Sequence, residues 1–347
     1  MSAAHIVIEF VEPAHRVLRR RAAGLFAATL TATCLVAGIL VPEPARAAPP
    51  PRQPCPESRD TAVLASAAAG ACGGRVEVAA ARSERAQVFA NADGSFTSVQ
   101  AAVVQRVRAA DGSWVRPDAT LRAGAGGGYV PMAAALDMSF SGGGATPLAT
   151  IRHGQSKLAL RWPGVLPAPV ASGHVLTYPE VLPGVDLAVT ADIEGFGETL
   201  VVKTPQAAQS RELAAVRLVI ESEGLTLREG ERDSLTAVSA SGQILFGSGT
   251  PMMWDSAGSE PGSAAGPGEG AAVAAMPLEV KDSTVTVRPD QGLLTRASTK
   301  FPVYIDPALL RFSWTMINNR YPNQQYWSYD RYGCPSPYTG AECAKVG

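Results

Sequence analysis

Four carboxylates, Asp186, Asp192, Glu194 and Glu198, fall within 13 residues of one another. Two such groups a few ångströms apart are what glycoside hydrolysis requires, one as acid and the other as base or nucleophile. Along an extended chain Asp186, Asp192 and Glu194 share a parity, which predicts one sheet face for all three. That face can serve as such a pair, as a calcium cage built from the same oxygens, or as a solvated surface beside the Gly195–Gly197 turn. The solvated face is the expectation.

Other chemistry is thinly represented. His153 and His174 are the histidines beyond residue 47, with Ser156 and Ser172 nearby, and neither serine lies in a G-x-S-x-G elbow. Gly124–Gly128 and Gly142–Gly144 lack the Gly-Lys-Ser/Thr ending and the following helix of a phosphate loop, so they read as loose hairpin connections. Cys55, Cys72, Cys334 and Cys343 have no C-x2-C spacing, which argues against zinc. No catalytic, cofactor-binding or metal-ligating residue is therefore assigned, and no cofactor is expected.

The cysteines gain meaning from the N-terminus. Arg16, Arg19, Arg20 and Arg21 precede an uncharged run from Ala22 to Val41, and Ala45-Arg46-Ala47 follows. A basic region, an apolar region and an A-x-A site predict a secretory signal peptide over 1–47, with a signal anchor as the alternative. Cys34 lies inside the apolar run. The four cysteines that remain are an even number in an exported chain, which suggests disulfides, and the sequence-local pairing is Cys55–Cys72 and Cys334–Cys343. The expected location is extracellular or at the cell surface, with membrane contact only through an uncleaved signal segment. With 30 Lys and Arg against 31 Asp and Glu, the net charge of −1 excludes a nucleic-acid binder that relies on a basic face.

The elements that must position these groups are short. Gly 34 and Pro 27 in 347 residues imply many turns and few helices. Residues 48–74 read as a Pro/Ala-rich spacer, with one helix over Ala62–Ala71. From Arg75 the pattern turns to period two. Asp93-Gly94 and Asp111-Gly112 mark hairpins, and Phe96–Arg108 reads as one strand between them. Strands at close intervals follow: Leu148–Arg152, Lys157–Trp162, Val170–Leu176, Val185–Ile193, Glu198–Lys203, Arg217–Glu221, Thr226–Arg228, Gln243–Phe246, Leu278–Lys281 and Thr284–Arg288. Such spacing predicts an all-β chain with an antiparallel sandwich-like body over 75–307. Within it, a helix is expected at Pro205–Ala215 and a flexible insertion over 256–275, and Trp114, Trp162 and Trp254 are expected to be mostly buried. Residues 308–347 read as the start of an incomplete, aromatic-rich β module, poorly ordered from about Phe312 because an isolated hairpin is marginal in water.

Four segments occur in a distinctive order: Asp111-Gly112-Ser113-Trp114-Val115-Arg116-Pro117-Asp118-Ala119-Thr120-Leu121, Leu182-Pro183-Gly184-Val185-Asp186-Leu187-Ala188-Val189-Thr190, Met253-Trp254-Asp255-Ser256 and Phe301-Pro302-Val303-Tyr304-Ile305-Asp306-Pro307. Together they resemble the N-terminal region of large secreted multidomain proteins of high-GC Gram-positive bacteria, which continue into DNRLRE-type jelly rolls, LamG-like sandwiches or RHS repeat shells. The resemblance spans roughly Val88–Tyr332 and implies a non-catalytic structural or interaction module, here truncated within the module that follows. Its implied partners are cell-wall or extracellular polysaccharide, or downstream domains of the same protein. The alternatives are a carbohydrate-binding or glycoside-hydrolysing protein, and a fragment of an RHS-type toxin-delivery shell. The resemblance supplies no catalytic residues.

Overall fold

The computed structural model describes residues 53–101, 103–230, 233–259 and 261–312, and the strands at 316–318 and 321–326. The signal segment, Cys34, Cys334, Cys343 and most of the expected terminal module lie outside the described residues. The chain divides into two compact units, the first ending at Gln100 and the second beginning at Ala101.

The first unit sets one helix against one small sheet. Strand β1 (Ser58–Arg59) precedes helix α1 (Ala62–Cys72), and strands β2 (Val76–Val78), β3 (Ala86–Ala90) and β4 (Phe96–Gln100) follow in the order β1-β2-β3-β4. The helix begins where the Thr61 hydroxyl accepts from Leu64 N at 3.3 Å, one of the orphan amides of a first turn. Its buried side is Ala65 and Ala69, which meet Val76, Val78 and Ala90. Cys55–Cys72 closes as a disulfide at the end of the helix. The boundary expected at Gly74/Arg75 is therefore wrong. Residues 55–72 are the cover of this sheet rather than a spacer, because the Val76–Ala90 face needs a second layer to bury it.

The second unit is an antiparallel β body. A short hairpin of β5 (Val107–Arg108) and β6 (Trp114–Val115) opens it, turning at Asp111-Gly112 with Gly112 at φ 81°. The strand expected over Phe96–Arg108 is thus two strands in different units. An eight-stranded sheet collects β7 (Asp118–Ala123), β8 (Tyr129–Ala133), β9 (Asp137–Phe140), β10 (Ala149–His153) and β11 (Ser156–Arg161) with three later strands, β16 (Val216–Glu223), β22 (Leu278–Lys281) and β23 (Thr284–Val287), in the order β22-β23-β16-β11-β10-β9-β8-β7. A ten-stranded sheet holds β12 (Val170–Ser172), β13 (Val175–Leu182), β14 (Val185–Ala191), β15 (Gly195–Val202), β17 (Leu225–Glu229), β18 (Leu235–Ser239), β19 (Ile244–Gly247), β20 (Met252–Trp254), β21 (Val273–Ala275) and β24 (Val303–Phe312). Its main order is β12-β13-β14-β15-β24-β19-β18-β17, and the β20–β21 pair also attaches to β24. A separate hairpin joins β25 (Met316–Asn318) to β26 (Tyr321–Tyr326).

Alternation decides which residues enter the core. Met138 and Phe140 of β9 are buried while Asp137 and Ser139 are exposed. The core draws Ile151, Leu158 and Ile220 from one sheet and Leu187, Phe196 and Ile305 from the other. Phe140 meets Phe196 edge-on, with centroids 5.8 Å apart, a geometry that contributes about 1 kcal/mol beyond burial. The Tyr178 hydroxyl donates to Ser141 O at 2.7 Å, and burial pushes its phenol pKa up, so it stays a donor. Each sheet margin is tied to the other sheet. Glu229 Oε1 accepts from Val280 N at 2.7 Å, joining β17 to β22, and Leu121 N donates to Gly173 O at 2.8 Å, joining β7 to the β12–β13 turn.

Local structure departs from expectation in two places. Pro205–Ala215 holds two 3-10 turns, Ala207–Gln209 and Arg211–Ala214, broken at Ser210, whose ψ of 131° is extended. Helix α2 (Gln291–Thr295), capped by Asp290 Oδ1 on Leu293 N, was not foreseen. The insertion lies against the ten-stranded sheet: Trp254 beneath it is fully buried, and two of its carbonyls accept hydrogen bonds from the sheet. Of the three tryptophans, Trp254 is buried as expected, and Trp114 and Trp162 are half-buried.

Candidate functional site

The four carboxylates do not form one face. Across the β14–β15 hairpin Ala191 pairs with Phe196 and Val189 with Glu198, so partners on the two strands have opposite parity. Glu198 therefore shares its face with Phe196, Leu200 and Val202 and lies in the core, only 2% exposed. Asp186 points to the other side of the sheet, between buried Val185 and Leu187. Asp192 and Glu194 sit in the turn, where Asp192 Oδ1 accepts from Ile193 N at 2.6 Å. An acid–base pair across one sugar ring needs both carboxyls on one side, and Asp186 and Glu198 are on opposite sides. The solvated-face expectation fails at Glu198 and holds in part at Asp186.

Asp186 works inside a knot at the β13–β14 turn. Its Oδ1 accepts from Glu180 N at 2.8 Å and lies 2.8 Å from Lys203 Nζ, while Glu180 bonds Lys203 and accepts from Gly184 N at 2.6 Å. Glu180 occupies φ 52°, a left-handed conformation these contacts hold in place. The Lys203 ammonium keeps the Glu180 carboxyl below its usual range, and Asp186 and Glu180 together raise Lys203. A lysine held charged between two carboxyl groups is a fastener and a poor nucleophile.

The remaining candidates are turns and packing. His153 and His174 are exposed at two different hairpin turns, with Ser156 directly opposite His153 in register. The glycine runs are far from loose. A Cβ on Gly142 would stand 1.8 Å from Gly127 O and one on Gly128 would stand 2.5 Å from Phe140 O, so the two runs pack backbone against backbone. Cys55 and Cys72 are bonded, as the local pairing predicts. Among the described residues no group of three or more His, Cys, Asp and Glu could hold a metal ion. A cavity of about 200 Å³ is lined by Pro205, Gln209, Leu294, Thr295, Arg296, Ala297, Thr299 and Phe301, smaller than the ~300 Å³ of ordinary ligand pockets and without a carboxylate or imidazole in its wall.

Sequence reasoning missed the arrangement around Trp254. This ring stacks on Tyr304 of the neighbouring strand, with centroids 5.8 Å apart and planes 20° from parallel. The next residue, Asp255, is 2% exposed and accepts three backbone amides: Ala257 N at 3.1 Å and Ala272 N at 2.8 Å on Oδ1, and Lys300 N at 3.2 Å on Oδ2. Ser256 reinforces it, with N donating to Lys300 O and Oγ to Pro302 O. The signal available in the sequence was the Trp254-Asp255-Ser256 run at the mouth of a Gly-rich segment, where an acid can gather the amides of both ends. No family model, no curated protein and no solved structure matches this chain.

Proposed function

We infer that this chain is a non-catalytic extracellular structural and interaction module, the N-terminal part of a larger secreted protein, whose partners are extracellular polysaccharide or the domains that follow it. The observation that carries this reading is the employment of its ionisable side chains. Lys203 clamps Glu180 and Asp186, Lys157 and Arg161 bind Glu223 and Glu221 across β11 and β16, Glu229 ties two sheet margins, and Asp255 gathers three amides. Each of these carboxylates holds backbone or a neighbouring strand in place. The Cys55–Cys72 disulfide is compatible with an oxidising compartment, and no helix among the described residues is long and apolar enough to cross a membrane.

The competing reading is a glycosidase that uses the Asp186–Glu198 carboxylates. A screen of polysaccharides for released reducing ends, with Asp186→Ala and Glu194→Ala beside the parent chain, separates the two. No release from any substrate is expected. Release that disappears in either variant overturns the non-catalytic reading.

A further inference from the structure

Residues 261–271 contain four glycines, two prolines, three alanines, one serine and one glutamate, yet they lie over the most thoroughly buried tryptophan of the described chain. We propose that this segment is a displaceable cover over a saccharide-stacking site made by Trp254 and Tyr304. The inference rests on the reading of the chain as an extracellular interaction module, and it adds the ligand class and the place where the ligand binds.

The two rings stack on one another across β20 and β24, on the side of the sheet away from the core, since the adjacent pair, Met253 and Ile305, points inward and is fully buried. The outer face of each ring in this near-parallel stack is a flat apolar surface of the kind that the C–H face of a pyranose fits. Polar groups border that surface. Thr199 occupies the same side of β15, and Asp306 follows Tyr304 on the same side of β24. A flat apolar platform with hydroxyl and carboxylate groups at its edge matches a sugar ring, which has a flat face and a hydroxyl rim.

The cover holds this surface with backbone rather than side chains. Trp254 Nε1–H donates to Ser263 O at 3.1 Å, and the Thr199 hydroxyl donates to Ala264 O at 3.1 Å. Sugar hydroxyl oxygens can replace these two carbonyls one for one, and the third tie of the segment, Ser259 N to Glu269 O at 3.2 Å, is at an exposed residue where water can take the acceptor's place. The cover has no bulky apolar side chain to anchor it, and ordering its glycines costs more entropy than ordering any other residue. Such segments open at the low end of a protein's local stability range. Its C-terminal foot is fixed independently, because Ala272 N is held by Asp255 outside the ring contact. Displacement therefore swings 261–271 aside without undoing the sheet.

Gly262 offers a lever. A Cβ there would stand 2.9 Å from Trp254 Cδ1 and 3.1 Å from Nε1, so Gly262→Val presses the cover away from the ring. The test uses the mature chain labelled with 5-fluorotryptophan, the Trp254 fluorine resonance being assigned by Trp254→Phe. Cellohexaose, chitohexaose and laminarihexaose are the probes. In Gly262→Val, solvent broadening of the Trp254 resonance should rise, and at least one hexasaccharide should bind ten or more times tighter than it binds the parent, because the open fraction is no longer limiting. Adding Tyr304→Ala should abolish that gain. If Gly262→Val does not fold, Gly262→Ala brings a smaller group to the same contact. An exposed Trp254 that no hexasaccharide perturbs, or a Trp254 that stays shielded in the folded variant, overturns the proposal and leaves the module reading untouched. Cleavage of a hexasaccharide would instead overturn the module reading.

Discussion

Gly142 and Gly94 are the same residue type under opposite constraints. At Gly142 the backbone of Gly127 occupies the space a side chain needs, whereas at Gly94 that space is open and only the φ of 84° favours glycine. Gly142→Ala should therefore cost about 3 kcal/mol, because backbone on both sides must shift to relieve the overlap. Gly94→Ala should cost only about 1 kcal/mol, the price of placing an L side chain in the left-handed region. Urea denaturation of both variants compares them directly, and equal losses would show that the two glycine runs are not packed as described. The sequence displays both glycines with equal clarity. What it does not display is the neighbour, since Gly127 and Gly142 come together only after β8 and β9 have paired.

Among the elements, helix α1 depends most on a single bond. The core of its unit is Ala65, Ala69, Val76, Val78 and Ala90, small side chains that bury little area each. Units of this size commonly need a covalent staple. Cys55–Cys72 closes a loop of 17 residues, which stabilises by about 3 kcal/mol in the chain-entropy account. Reduction with dithiothreitol should strip hydrogen-exchange protection from 62–72 and 76–100 while amides of β14 and β15 keep theirs. Simultaneous loss in both regions would show that the first unit does not fold as its own cooperative block. The Ala-rich stretch, the local cysteine pair and both Asp-Gly hairpins were legible because each is encoded within about 20 residues. The division at Gln100 was not, because β2–β4 and the strands of the second unit share one period-two pattern. The face of Glu198 was hidden for a related reason: parity along a strand is local, but the register of β14 on β15 is set by the turn between them. The 3-10 turns at 207–214 satisfy the same buried Ala207, Ala208 and Leu213 that a helix would.

At the scale of the whole molecule, the charge balance makes the fold sensitive to acid. The carboxyls of Asp93, Asp111 and Asp118 are held below their usual range chiefly by the hydroxyls of Ser95, Ser113 and Thr120, that of Glu180 by Lys203, and that of Glu223 by Lys157. A carboxyl whose pKa is lower in the folded chain adds stability that is complete above its unfolded value, about 4, and is lost as pH falls through the folded value. Lys203 shifts the other way, so its contribution persists from neutral pH upward and fades only above about 10. Protonating the acids also leaves 30 Lys and Arg without the 31 carboxylates that offset them, and like charges then repel along β11 and β16, where Lys157 and Arg161 lose Glu223 and Glu221. Calorimetry at constant ionic strength should show a melting temperature that is flat between pH 5 and 8 and falls steadily below about pH 4. Since these five carboxyls lie at the surface, no single one should dominate: Glu223→Gln ought to leave the midpoint of the acid transition nearly in place. A melting temperature unchanged down to pH 2.5 would show that these carboxyls do not set acid stability, and an acid transition erased by that one substitution would show that Glu223 alone sets it, in place of the distributed hydrogen bonds and ion pairs that tie these turns and strands together.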